Sequence, residues 1–389
     1  LAERSSKKPF SKNYFNYNLI GQTYNLKQFR KMKMINLANI VKKSVFILAV
    51  LGTSSVFSQD ADSTATKKFS LSGSVDAYYR ANITAPNDEN AIAPGTSFAN
   101  LPGFALGMAN VVASYEGEKV GFVADLVFGP RGTDAVFVSP MYSATGDIIN
   151  QLYAYWNVSD AVTFTFGNFN TFLGYEVISP VGNFNYSTSY MFSYGPFSHT
   201  GLKADFAISE DFSAMLAVMN STDFTEFNPD GKYTLGGQLG YKGQFLNLLY
   251  GNQTSTMGLA TEPTFQIDYT GGFDLSDSFF LGINATYNDT DGVGFYGAAL
   301  YPQYSVSEDF ALGLRAEYFG ENGDFGAIGT GVEDSSVMAL TLTGNYMVED
   351  LTIKPELRLD SASEEAFIDN DLMASKSLAS FLVAVVYSF

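Results

Sequence analysis

The stretch "HTGLKADFAISEDFSAMLAVMN" (His199 to Asn220) carries the fold in miniature. Leu202, Ala204, Phe206 and Ile208 alternate with Lys203 and Asp205, and His199 falls on the polar side. Alternation with a period of two is the signature of a strand with two unlike faces. Ser209, Glu210 and Asp211 supply turn chemistry, and an apolar alternation resumes at Phe212. The stretch reads as a tight hairpin. The "ISEDF" at its centre (Ile208 to Phe212) returns as "VSEDF" (Val306 to Phe310), with relatives in "LSDSF" (Leu275 to Phe279) and "VSDAV" (Val158 to Val162). The copies have no fixed spacing because they punctuate hairpins.

The same pattern predicts 16 strands, over 69–82, 103–115, 119–129, 148–158, 161–169, 197–208, 211–220, 231–242, 244–252, 263–274, 278–288, 293–306, 309–319, 336–348, 350–360 and 376–389. Pro302 and Pro355 fall inside two of them, where a missing N–H predicts a bulge, an end or a local break. Connections alternate between short turns and long, acid-rich loops, the longest running from Asn170 to Pro196. The expected fold class is all-β: a transmembrane antiparallel barrel with short periplasmic turns and long extracellular loops. An even strand number leaves both termini at the short-turn end.

Alternation alone fits a soluble sandwich equally well. Four features favour lipid. The strands match the roughly 9–11 residues needed to cross at a tilt. Strand charges share one face: Asp76, Arg80, Asp125, Lys203, Asp205, Lys232, Asp268, Arg315, Glu317, Lys354, Glu356, Arg358 and Asp360. Phe212, Phe245, Phe279 and Phe310 follow short turns and suggest an aromatic girdle on the apolar face. Finally, "FLVAVVYSF" places Phe381, Val383, Val385, Tyr387 and Phe389 on one face, which resembles the C-terminal signal read by the barrel-insertion machinery of bacterial outer membranes. A closed sheet leaves no backbone group unpaired in hydrocarbon. With 16 strands the lumen is too wide for side chains to fill, so an aqueous channel is expected.

Lys42 and Lys43 precede the apolar run Ser44–Phe57, and Val56 and Ser58 fit a cleavage site before Gln59. Residues 32–58 read as a signal peptide and 1–31 as upstream sequence outside the fold; an anchor helix is the alternative, against which the run is short. Residues 59–68 form a short N-terminal segment and 69–389 the barrel. Residues 1–58 hold ten Lys/Arg and one Asp/Glu, which leaves 12 basic and 39 acidic residues. That balance argues against a nucleic-acid partner, which needs a basic footprint. There is no Cys, so disulfides and thiolate metal sites are excluded, and no cofactor is expected.

The segment Gly167 to Phe206 resembles the β-barrel porin-2, OmpL-like family of Bacteroidota through Gly167, Phe169, Thr171, Gly174, Glu176, Asn183, Asn185, Ser187, Ser189, Phe192, Pro196, His199 and Gly201. The resemblance implies an outer-membrane porin that passes small hydrophilic solutes, with lipid and surface glycolipid as surroundings. Porins of this size imply a homotrimer, although no strand shows a distinct protein-facing patch.

In 16-stranded porins the third long loop narrows the barrel. Here that loop carries Glu176, Asn183, Asn185, Tyr186, Ser187 and Ser189 as candidate constriction residues. Glu176 facing Arg80, Arg315 or Arg358 would set a transverse field across an eyelet; a lid over the outer mouth is the plainer reading. Asp125, His199, Lys203, Asp205, Asp268, Glu317, Lys354 and Glu356 complete the expected wall. His199, the only His, is read as tying the third loop to the wall. A lipase-like use with Ser198 and Asn183 is the weaker reading. "NDTDG" (Asn288 to Gly292) resembles a calcium loop but lacks its terminal Glu, and is read as a turn. Strand charges roughly balance, while the long loops are strongly acidic, which predicts modest cation preference that fades with salt. The rival functions are a plugged adhesion barrel and a lipid transporter. A 22-stranded receptor with a plug exceeds the length available.

Overall fold

The computed structural model describes residues 68–136, 148–225, 228, 231–255 and 258–389. The signal-peptide and upstream segments lie outside the described residues. The strands are β1 (Lys68–Asn82), β2 (Gly103–Glu116), β3 (Val120–Phe128), β4 (Ile149–Ser159), β5 (Val162–Asn170), β6 (Ser198–Ala207), β7 (Phe212–Met219) and β8 (Thr234–Tyr241). They continue with β9 (Gln244–Ser255), β10 (Gly258–Ser276), β11 (Phe279–Thr290), β12 (Val293–Ser305), β13 (Phe310–Asn322), β14 (Ser336–Val348) and β15 (Leu351–Ala362). A two-stranded flap, β16 (Phe367–Ile368) with β17 (Ala374–Ser375), precedes β18 (Ser377–Ser388). Two short helices lie in loops, α1 (Pro130–Ala135) and α2 (Tyr190–Tyr194).

All the long strands pair with their sequence neighbours, and β1 pairs with β18 to close a 16-stranded antiparallel barrel. The seam runs from Ser74 opposite Ser388 to Asn82 opposite Ser380. Gly73 and Phe389 exchange two backbone hydrogen bonds of 3.0 Å at its end. Closure satisfies the edges that an open sheet would leave unpaired in lipid.

Period two sorts the side chains. Leu202, Leu216, Val218, Leu246, Leu312, Leu340, Leu357, Val385 and Tyr387 are exposed on the outside. Their partners one residue away point inward. Of the expected ring of phenylalanines, Phe212, Phe279 and Phe310 follow the outward alternation, but Phe245 does not. The Lys242-Gly243 turn is only two residues long, with Tyr241 opposite Gln244, and this register turns Phe245 inward beside Asn247 and gives the outward place to Leu246. Lys232 precedes β8 and is not a wall residue.

The alternation of connections is also less strict than expected. β11 and β12 join through Asp291 and Gly292, both with positive φ (53° and 85°), which is the mirror-image turn that suits a tight hairpin. The calcium-like string is therefore this turn. β9 and β10 run past their expected ends and pair out to Ser255 and Gly258. Pro302 and Pro355 each interrupt the ladder on one side only: pairing skips from Leu300 to Gln303 and from Glu356 to Ile353, with the register unchanged.

Candidate functional site

The loop between β5 and β6, residues 171–197, enters the barrel and rests on its inner wall. Its sequence explains why it can. Asn, Ser and Tyr provide donors and acceptors, and its backbone is open to capture by charged side chains. The wall supplies those charges at every second position of β13 and β15: Arg315 and Glu317 on one, Lys354, Glu356, Arg358 and Asp360 on the other.

Each wall charge takes hold of a defined part of the loop. Arg315 Nη1 donates to Glu176 Oε1 at 2.6 Å and to the Ser187 carbonyl at 2.6 Å. Its Nη2 reaches Ser187 Oγ at 3.2 Å and Thr341 Oγ1 at 3.1 Å. Glu317 accepts from the N–H groups of Tyr190 (2.9 Å) and Met191 (2.8 Å), which open α2. Glu356 accepts from Tyr186 N at 2.9 Å and from Thr343 Oγ1 at 2.9 Å. Lys354 donates to the carbonyls of Pro180 and Asn183. Arg358 donates to the Thr188 carbonyl at 2.8 Å while it grips Asp360 through Nε and Nη2. Charge-assisted bonds of this kind are stronger than neutral ones, and the forked guanidinium also fixes direction.

The loop completes its own shape. Asn183 closes a bend by pairing with both backbone groups of Val177 (2.7 and 2.6 Å). Asn185 Nδ2 reaches Thr343 Oγ1 at 2.7 Å. Tyr186 Oη donates to Asp76 Oδ2 at 2.5 Å. Ser189 caps α2, with its Oγ accepting from Phe192 N at 3.0 Å, and its own N–H donates to Glu176 Oε2 at 2.7 Å. Packing fits as closely as the polar contacts. A Cβ at the inward-facing Gly313 would lie 2.3 Å from the Phe184 ring.

The loop's ends are pinned as well. His199 Nε2 pairs with Thr171 Oγ1 at 2.7 Å, so the histidine does tie the third loop to the wall. Asn183, the partner a lipase-like reading would need, pairs with the backbone of Val177 and not with His199. Asp223, in the loop after β7, accepts from Phe197 N (2.9 Å) and Ser198 N (2.8 Å). Burial pushes its carboxyl well above the usual range, an effect those two N–H groups partly offset. Asp268 accepts from Gly174 N at 2.8 Å and from Asn247 and Asn284.

The geometry overturns one expectation. Glu176 and Arg315 do not face each other across open water; they touch, and both are almost fully buried (3% and 0% exposed). The pair largely cancels its charge inside the loop's seat and does not span an open eyelet. Arg80, on β1, contacts the Asn100 carbonyl at 3.4 Å and not Glu176. Asp125 knits the wall, accepting from Asn110, Asn150 (2.6 Å) and Gln151 (3.1 Å). Lys203 and Asp205 form the contrasting case, an ion pair of 3.0 Å in which each side chain stays 26% exposed.

Two anchors lay outside the expected site. Asp76 was visible as a strand charge and Tyr186 as a loop residue, but not the bond that joins them. Arg131, on α1, donates through Nε to the Ile178 carbonyl (2.8 Å) and through Nη1 to the Tyr186 carbonyl (3.1 Å), between the rings of Phe98 and Tyr186. The available signal was a lone arginine in an otherwise acidic set of loops.

A closed 16-stranded barrel with apolar exterior, charged interior and an inward third loop defines a porin-type channel protein. The family described as "Putative beta-barrel porin-2, OmpL-like" matches over residues 68–389, and the chain belongs to it. Comparison with curated proteins gave no match in sequence. Among solved structures, the outer-membrane channel DcaP of Acinetobacter baumannii is similar at 12% identity and TM-score 0.54, covering 85% of this chain and 99% of that one. An anion-selective porin from Comamonas acidovorans is similar at 12% identity and TM-score 0.52, covering 83% and 100%. Outer-membrane OmpT of Vibrio cholerae gives 11% identity and TM-score 0.51, covering 86% and 100%. These likenesses concern the fold. Family and neighbours together point to the bacterial outer membrane.

Proposed function

We propose that the protein is a passive porin for small hydrophilic solutes, with the 171–197 loop as its constriction and a modest preference for cations. The observation that carries this reading is the polar loop fixed inside a closed barrel by the Arg315, Glu317, Lys354, Glu356 and Arg358 contacts. No catalytic step is needed for this role. The preference comes from the mouth. Wall charges are largely spent on one another and on the loop, whereas Asp88, Glu89, Asp134, Asp324, Glu333, Asp334, Glu364, Glu365 and Asp371 stand exposed at the long-loop end. Exposed like charges attract counter-ions over roughly a Debye length, about 10 Å at 0.1 M salt. Exposed loop acids also suit divalent-ion bridges to surface glycolipid. The apolar last strand suits handling by the insertion machinery, and a homotrimer remains part of the proposal.

The test is single-channel conductance of residues 59–389 in a planar bilayer, with a salt step across it. Stable open steps with cation preference at low salt are expected. Anion preference at low salt sinks the selectivity reading. Deleting residues 176–190 should raise the step size; an unchanged step removes the loop from the constriction. A second reading, a plugged surface-binding barrel, is favoured by the near-complete burial of Arg315, Glu317 and Asp360. It expects silence from protein that is folded by its heat-modifiable mobility.

A further inference from the structure

Most buried charges of the lumen have a partner; Arg80 is poorly provided. The residue projects inward from β1 and is only 3% exposed. Its Nη1 makes one long contact, 3.4 Å to the Asn100 carbonyl, and its Nη2 is buried with no partner. The nearby acids are occupied. Asp360 takes both Nε and Nη2 of Arg358, at 2.8–3.1 Å. Glu356 is held by Tyr186 N, Ser187 N and Thr343 Oγ1. Asp360 is near enough to attract Arg80 but is shared with Arg358, and a buried guanidinium with no carboxylate bonded to it is costly, a cost usually met by an ion or a fixed dipole.

Beside Arg80 is a small cavity, about 10 Å³, lined by Arg80, Asn100, Ser187, Glu356, Arg358 and Ser380, with apolar walls from Pro94, Ala99 and Leu382. Its position follows from register. Arg80 stands opposite Leu382 across the β1–β18 seam, and Arg358 stands opposite Ser380 across β15–β18. The small Ser380 leaves room between two arginines on strands that flank the same neighbour. The space suits one water-sized body.

We propose that this cavity is a binding site for a single monatomic anion of chloride size, with Arg80 as its main ligand and Arg358 as the second positive wall. Glu356 also lines the cavity, but its oxygens are turned to the loop amides and Thr343. The anion completes the seat of the 171–197 loop, through Ser187, and places a counter-charge beside Arg80. The site does not depend on whether the barrel conducts, so it can fail while the porin reading stands.

The experiment is crystallography of the detergent-solubilised protein grown in bromide, with data collected at the bromine absorption edge. An anomalous peak between Arg80 and Arg358 is expected, and its loss in Arg80→Met. Density without anomalous signal, meaning water alone, overturns the proposal, as does a peak that persists in Arg80→Met. Should that variant fail to insert, the wild-type map still decides between halide and water. A second readout is the heat-modifiability midpoint of the wild type. It should be higher in chloride than in equimolar gluconate, which is too large to enter; equal midpoints count against the site.

Discussion

The β13–β15 wall and the β6 wall carry the same kind of residue and treat it in opposite ways. On β13 and β15, Arg315, Glu317, Glu356 and Asp360 are at most 2% exposed and tied to the loop or to each other. On β6, Lys203 and Asp205 pair with each other and keep a quarter of their surface in water. Alternating charge is the pattern in both. The difference is the loop, which covers one wall and leaves the other wet. Charges under the loop act as fasteners, and charges opposite it keep their contact with water.

Substitutions can break this contrast. The largest effect is expected for Arg315→Ala, which leaves Glu176 buried without its partner at a cost of about 3–5 kcal/mol. The loop should loosen, the conductance step should grow and become noisy, and protease should reach residues 176–190. An unchanged, quiet step would show that the fastener is dispensable. Gly313→Ala comes next. Its methyl would meet the Phe184 ring, and displacing that ring should cost about 1–3 kcal/mol, read as a lower heat-modifiability midpoint.

Asp223 tests the loop's far end through pH. Its native pKa is raised, so the folded state holds its proton longer than the unfolded state, which ionises near about 3.9. The group's contribution to stability is therefore fullest below about pH 3.9 and is lost as pH rises through the raised native value. Asp223→Asn should flatten that part of the stability–pH profile while keeping one acceptor for Phe197 N and Ser198 N. A profile identical to wild type would remove Asp223 as its source.

The smallest change in stability is expected at the wet wall. Lys203→Met breaks a partly exposed pair, worth about 0.2–1 kcal/mol. The useful readout there is the reversal potential, which should move toward cations because Asp205 is left alone. No movement would place the permeation path away from β6.

Strand number, facing and the hairpin turns could be read from the chain alone. A period of two and turn residues such as Ser209-Glu210-Asp211 are local properties, and the structure repeats them strand by strand. The inward face of the charges followed from the same period, as did the tie between His199 and the third loop. Where local reading failed, the missing quantity was register or partnership. Phe245 turned inward because a two-residue turn fixed its phase, which composition cannot reveal. The β9–β10 and β11–β12 connections were shorter than expected because strands can run on through polar sequence when a neighbour offers a ladder. Above all, Glu176 and Arg315 are 139 positions apart. The sequence determined that both are charged and that Arg315 points inward. Only the closed barrel and its seated loop decided that they touch, because burial and pairing depend on the whole wall being in place.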